Sequence, residues 1–194
     1  VIVTKQDIIV AGVGGQGILT VAGVICHAAL AMGLRVKQSE VHGMAQRGGA
    51  VISHLRLSEK PIASDLVPHG SAHLVLAMEP MEGLRHLPHA HPDAMLIANC
   101  TPVKNVAVYP DVEQLLRRIQ AWPRHVILDA EKLAREAGTV RAVNSVMLGA
   151  ASDQLIIPWE KLREQVGAFF ARKGEKIVEQ NLKAFDLGRA AAKE

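Results

Sequence analysis

From Ile8 to Leu34 the chain carries no Asp, Glu, Lys or Arg, yet Gly12-Val13-Gly14-Gly15-Gln16-Gly17 cuts that run early. An apolar stretch of this length raises the question of a membrane helix. The interruption answers it. Four glycines in six residues would break a helix, so the run divides into a short strand, a tight turn and a buried helix. No membrane association is expected. Asp7 stands directly before the run, where a secretory leader would carry basic residues, so no signal peptide is expected either.

The same alternation continues downstream. Short apolar runs at 8–13, 36–39, 50–57, 74–78, 95–99 and 126–129 read as strands, with helical patterns at 18–32, 80–87, 112–120, 131–137, 143–151 and 159–170. This order predicts an α/β fold: a three-layer α/β/α arrangement around a mainly parallel, mixed sheet, opening with a Rossmann-like βαβ unit. In 50–57, Val51, Ser53, Leu55 and Leu57 alternate with Ile52, His54 and Arg56, as in a half-exposed antiparallel strand. The tail, about 174–193, spaces Ile177, Val178, Leu182, Phe185 and Leu187 among charges as an amphipathic helix, suited to packing on the domain or on another subunit. With no repeat or linker, residues 1–194 are expected to form a single domain.

Composition removes several function classes. Lys and Arg number 22 against 19 Asp and Glu, a formal charge of only +3, and no basic cluster interleaved with aromatics appears. Nucleic acid is not an expected partner. Cys26 and Cys100 are far apart and too few for an iron–sulfur cluster or a disulfide framework, which points to a reducing, cytoplasmic setting. Hydrolase, zincin and Walker-type motifs are missing.

The glycine turn holds the clearest chemistry. Gly12, Gly14, Gly15, Gln16 and Gly17 follow a strand and open a helix, where free N–H groups favour an anion such as phosphate. Glu40 falls near the end of the second strand, where a dinucleotide fold places its ribose acid, so an autonomous NAD(P)-binding Rossmann-like oxidoreductase is one reading. Glycines that only permit close packing are the other. The next residues, Val41-His42-Gly43-Met44-Ala45-Gln46-Arg47-Gly48-Gly49, supply an imidazole and a guanidinium between small residues. Glu40 and His42 are candidate acid–base groups, and Arg47, beside Gly48 and Gly49, could grip a phosphate or carboxylate in two-pronged fashion. A surface turn with self-satisfied polar groups would look the same. Strand ends in such a sheet share a rim, which would gather Gly14, Glu40, Arg47, Glu79, Asn99 and Asp129, although Glu79 and Asp129 singly read as helix caps. His86, His89 and His91 lie among Pro88 and Pro92 as a loop without an obvious carboxylate or thiolate. No metal site is expected there; a metal-binding module remains the alternative.

Taken together, Ile9 to Gly17 and Ser39 to Gly49 closely resemble the gamma domain of the 2-oxoacid:ferredoxin oxidoreductases, with wording most like the indolepyruvate enzymes. The stretches from Ala77 to Arg85 and from Arg141 to Ala150 agree, and the likeness spans about residues 7–185. The resemblance implies a subunit, inactive alone, of a complex that oxidatively decarboxylates a 2-oxoacid, forms an acyl-coenzyme A and passes electrons to ferredoxin. It implies that thiamin diphosphate, magnesium and the iron–sulfur clusters reside on large partner subunits. The glycine loop and the rim from Glu40 to Gly49 would then face coenzyme A or the partner.

Overall fold

The computed structural model describes residues 5–43, 48–104 and 106–193. Six strands, β1 (Lys5–Val13), β2 (Arg35–His42), β3 (Ala50–Ser58), β4 (Ala72–Ala77), β5 (Ala90–Asn99) and β6 (His125–Leu128), form one sheet in the order β2-β3-β1-β4-β5-β6. β1, β4, β5 and β6 are mutually parallel, while β3 runs antiparallel to both of its neighbours. The antiparallel direction agrees with the pattern in 50–57, but β3 is not half-exposed: residues 51–58 are buried on both faces, with Ser53, His54 and Arg56 among the buried polar residues.

Among the described residues seven α-helices cover the sheet: α1 (Ile18–Ala31), α2 (Pro80–Arg85), α3 (Val112–Gln120), α4 (Ala130–Glu136), α5 (Val143–Ala151), α6 (Trp159–Phe170) and α7 (Glu175–Ala191). Side-chain alternation along β1 decides what each face buries. Ile8 and Val10 point into a core shared with α1 and α4–α7, and Ile9 and Ala11 into a smaller core with α2, α3 and Val67 of the 59–71 segment. A strand covered on both sides reads as a near-continuous apolar run, as residues 8–13 do, while the buried Gln6 and Asp7 at its start are held by partners. The amphipathic tail becomes α7, packed through Ala184 and Phe185.

Two segments differ from the sequence pattern in ways that matter. β2 is longer than 36–39 and includes Glu40, Val41 and His42, so two residues expected on a loop lie on an edge strand. β5 begins at Ala90, so His91 and Pro92 are strand residues, not loop; His86 closes α2 and His89 sits in a 3-10 turn, Leu87–His89. The pairing with β4 accommodates Pro92 by slipping: Ala72 faces Ala90 while Leu74 faces Met95. Proline is tolerated at such an irregularity because no ladder bond is lost there.

Candidate functional site

β1, α1 and β2 form a βαβ unit, but β3 is inserted between the two parallel strands. Glu40 pairs with Ser53 of β3, which pairs with Val10, so Glu40 stands level with mid-β1 and two strand spacings, about 10 Å, from it. An acid on an adjacent strand would reach a ribose held at the glycine turn. Here Glu40 is occupied by its own strand: Gln38 donates to one oxygen, and His42 Nε2 lies 3.3 Å from the other.

The glycine turn is fixed by backbone and amide contacts. Gln16 accepts from Val13 N (2.8 Å) and donates to the Met78 carbonyl (2.9 Å), clamping the end of β1 to the end of β4. Gln16 is therefore a brace for the turn. Gly14 N donates to Gly49 O at 2.9 Å, bringing the two ends of the motif pair together as the sequence suggested. Gly48 leads into the same junction at positive φ. Arg47, with Met44, Ala45 and Gln46, lies outside the described residues. Gly17 caps α1 with φ of 80°, and a Cβ there would stand 2.8 Å from Asn144 Nδ2 of α5. No residue but glycine meets both demands.

Two hollows flank this turn. One, about 370 Å³, is bounded by Gly14, Gly15, Ile18, Leu19 and Val51 and receives His42. The other, about 450 Å³, runs from Gly15 and Gly17 to Arg141, Asn144 and Lys173, with Gln180 of α7 behind them. The second hollow has the donors an anion needs. α1 begins with no acidic residue in its first turn, and its leading N–H groups have no helical acceptor. Among the described residues no carboxylate pairs with Arg141 or Lys173; Lys173 Nζ rests 5.1 Å from the Phe170 ring centroid. Asn144 is only 8% exposed, and its Oδ1 accepts from Ser145 N while Nδ2 has no acceptor among the described residues. Two cations that no described carboxylate pairs, an amide donor with no described acceptor and a helix start converge on one cleft.

The remaining rim residues are structural. Glu79 caps α2 through Glu82 N (2.9 Å) and also takes the Tyr109 hydroxyl, which together with burial pushes the phenol above its usual range. Asp129 caps α4 through Lys132 N (2.9 Å). Asn99 accepts from Ala130 N and donates to Met78 O, joining β4, β5 and α4. Glu82, 1% exposed, leaves Oε2 unpartnered; burial pushes its carboxyl above the usual carboxylate range, and Arg85 partly offsets this. No group of three or more His, Cys, Asp or Glu suited to a metal occurs among the described residues. Sequence reading missed Arg141, Asn144 and Lys173 as residues of this cleft, since nothing local links them to a glycine turn more than a hundred residues earlier.

Residues 7–191, nearly the whole chain, match the family described as pyruvate ferredoxin/flavodoxin oxidoreductase. The chain belongs to this family. The indolepyruvate oxidoreductase subunit IorB of Pyrococcus horikoshii is 38% identical over 200 residues, covering 98% of this chain and 97% of that protein. A subunit of the same name from Archaeoglobus fulgidus is 34% identical, covering 95% of this chain and 94% of that one. Among solved structures, a 2-oxoglutarate:ferredoxin oxidoreductase from Magnetococcus marinus, with 2-oxoglutarate, coenzyme A and succinyl-CoA bound, superposes with a TM-score of 0.78 at 25% identity. It covers 98% of this chain, which spans 31% of that longer one. The gamma subunit of a keto/oxoacid ferredoxin oxidoreductase from Geobacter sulfurreducens shares the fold, with a TM-score of 0.71 at 22% identity over 96% of this chain and 98% of that one. Family membership makes this chain a gamma-type oxidoreductase subunit, and the autonomous dehydrogenase reading gives way.

Proposed function

We propose that this chain is the small subunit of an indolepyruvate-class 2-oxoacid:ferredoxin oxidoreductase, and that its glycine-turn cleft holds the phosphates of coenzyme A. The cationic cleft carries the reading. Arg141, Lys173, Asn144 Nδ2 and the α1 start present only donors, and a phosphorylated ligand is what such a donor set binds. Arg47, Gly48 and Gly49 border the same turn in sequence and join the proposed site, with His42 on its other side.

Redox chemistry is assigned to the partner. Thiamin diphosphate with magnesium and the iron–sulfur clusters supply decarboxylation and electron transfer from large subunits, which pass electrons to ferredoxin. The thiols of this chain do not suit an iron–sulfur cluster: Cys26 is buried in α1, where burial and the nearby Glu40 push its thiol up to about 11, and Cys100 is raised as well. Thiolate ligands want the opposite environment. Leu19, Val41, Val106 and Val108, 45–88% exposed, lie in the segments at and after the strand ends, as befits a rim that meets another chain. No helix among the described residues is long and apolar enough to cross a membrane. Two free thiols, Cys26 and Cys100, suit a reducing compartment, and we place the complex in the cytoplasm.

Arg141→Ala in the anaerobically reconstituted complex tests the cleft. Loss of a charge-assisted phosphate contact is expected to raise KM for coenzyme A by about tenfold or more. Assembly, read by size-exclusion chromatography, should hold. Arg47→Ala belongs in the same series. An unchanged KM in both variants removes the cleft from coenzyme A binding, and calorimetric binding of NADH to the isolated chain would restore the dinucleotide reading.

A further inference from the structure

On the sheet face opposite the glycine cleft's helices, the segment 59–71 crosses β3 and is held by imidazoles. Val67 is its buried anchor, 2% exposed, packed among Ile9, Ile52 and Ala72. Val67 N donates to His54 Nδ1 of β3 at 3.2 Å, and His89 Nδ1 lies 3.3 Å from the Val67 carbonyl. The first bond fixes a tautomer. An N–H can be accepted only by an unprotonated Nδ1, so His54 must be neutral with its proton on Nε2, whereas His89 donates from Nδ1. Gly70 N to Pro88 O (2.9 Å) closes the far end of the strap.

Around these bonds four imidazoles from three parts of the chain touch. His89 meets His69 of the segment edge-on at 4.5 Å between ring centroids, His54 at 5.2 Å, and His86 at 6.0 Å. Among the described residues, Arg85 adds to the positive charge at His86, and the acid Asp65 opposes it at His54. We propose that this cluster is an acid-operated latch: a proton on His54 Nδ1 removes the acceptor for Val67 N, sets cations ring to ring, and releases the 59–71 strap from β3. Opening uncovers Ile52 and the buried side of β3.

The direction of the pH response follows from the environment. Burial and the neighbouring His89 and Arg85 hold His86 down to about 4, and burial with His89 lowers His54. His89 is lowered by burial and His69. A histidine depressed in the folded state takes up its proton more readily in the open one. The latch is therefore closed above the ordinary histidine range, near 6.5, and weakens as pH falls from there toward 4.

Hydrogen–deuterium exchange of the full chain at pH 7.5 and 5.5, corrected for intrinsic exchange, reads the strap directly. Protection of the Val67 and Gly70 amides is expected to drop on the order of tenfold or more at the lower pH while β1 amides keep theirs. His54→Gln, which supplies an uncharged acceptor, should abolish most of that difference. Equal strap protection at both pH values overturns the proposal. So does a parallel loss in β1, which would be general acid unfolding, or an undiminished pH effect in His54→Gln. If that variant does not fold, titration of the imidazole C–H resonances in the native chain decides: the strap amides must shift together with His54 and His86, and independent titration overturns the latch.

Discussion

Arg56→Ala is expected to lower the unfolding free energy by about 3–5 kcal/mol, because it strands a buried carboxylate. Arg56, on β3, is 8% exposed, and its Nε and Nη2 meet both oxygens of Asp7 at 2.8 and 3.2 Å; Asp7 on β1 is fully buried. Lys5 also reaches Asp7 at 2.9 Å but is half-exposed, so water screens most of what it offers once Arg56 is gone. The same guanidinium donates to the Ser64 and Leu66 carbonyls, so its removal also unties the near end of the strap. Urea unfolding followed by circular dichroism gives the number, from a lower midpoint at an unchanged slope. Removing both charges, Asp7→Ala with Arg56→Ala, should cost less than the two single losses together, since neither partner is then left unpaired. A single-variant loss under about 1 kcal/mol would mean that the pair is solvated like a surface ion pair.

What the sequence made legible was local. Periodicity located the strands and helices and pointed to an antiparallel β3, but the polar residues Ser53, His54 and Arg56 read as a half-exposed face and are buried instead. Strand order was not local, and it changed the meaning of a candidate residue. Glu40 sits where a ribose acid would sit along β2, but the insertion of β3 moves that strand one place outward. A dinucleotide motif is a statement about neighbouring strands, and neighbours are chosen by packing. Asp7 looked like a polar flank of an apolar run; its partner lies forty-nine residues away on β3, so its burial could not be read from spacing. The histidine loop failed for the same reason. His86 and His89 had no visible partners because His54 and His69 come from a different strand and segment. The glycine turn was the legible half of the cleft, since its conformation is written in its own glycines. Arg141 and Asn144, the other half, arrive on α5 and the turn before it.

That second half depends on how closely α5 lies against α7, and Gly188→Ala is the change expected to disturb it most. A Cβ on Gly188 would overlap the Val146 carbonyl oxygen and lie 2.7 Å from its carbon; on Gly149 it would overlap the Phe185 carbonyl oxygen and lie 2.8 Å from its carbon. Each helix thus lays a glycine on the other's backbone. In an ordinary mid-helix site Gly→Ala stabilises by about 0.5–1 kcal/mol through backbone entropy. Here the clash is with peptide atoms that cannot rotate away, so the helices must part, at a cost of about 1–3 kcal/mol or more. Gly167→Ala on α6 is the control: its Cβ would find only Leu182 Cδ2 at 3.8 Å, ordinary contact, and it should be neutral or stabilising. Thermal unfolding separates the two by sign, at about 2–4 °C per kcal/mol for a chain of this size. Function should follow stability in this case. α5 carries Asn144 to Gly17, and α7 carries Gln180 and Asn181, with Ser145 Oγ donating to Asn181 Oδ1 at 2.7 Å across the helix pair. Parting the helices moves one wall of the cleft off the glycine turn, so KM for coenzyme A should rise in Gly188→Ala and hold in Gly167→Ala. Equal stability of the two variants would mean that α5 and α7 do not meet backbone to backbone, and that the cleft is not shaped by their contact.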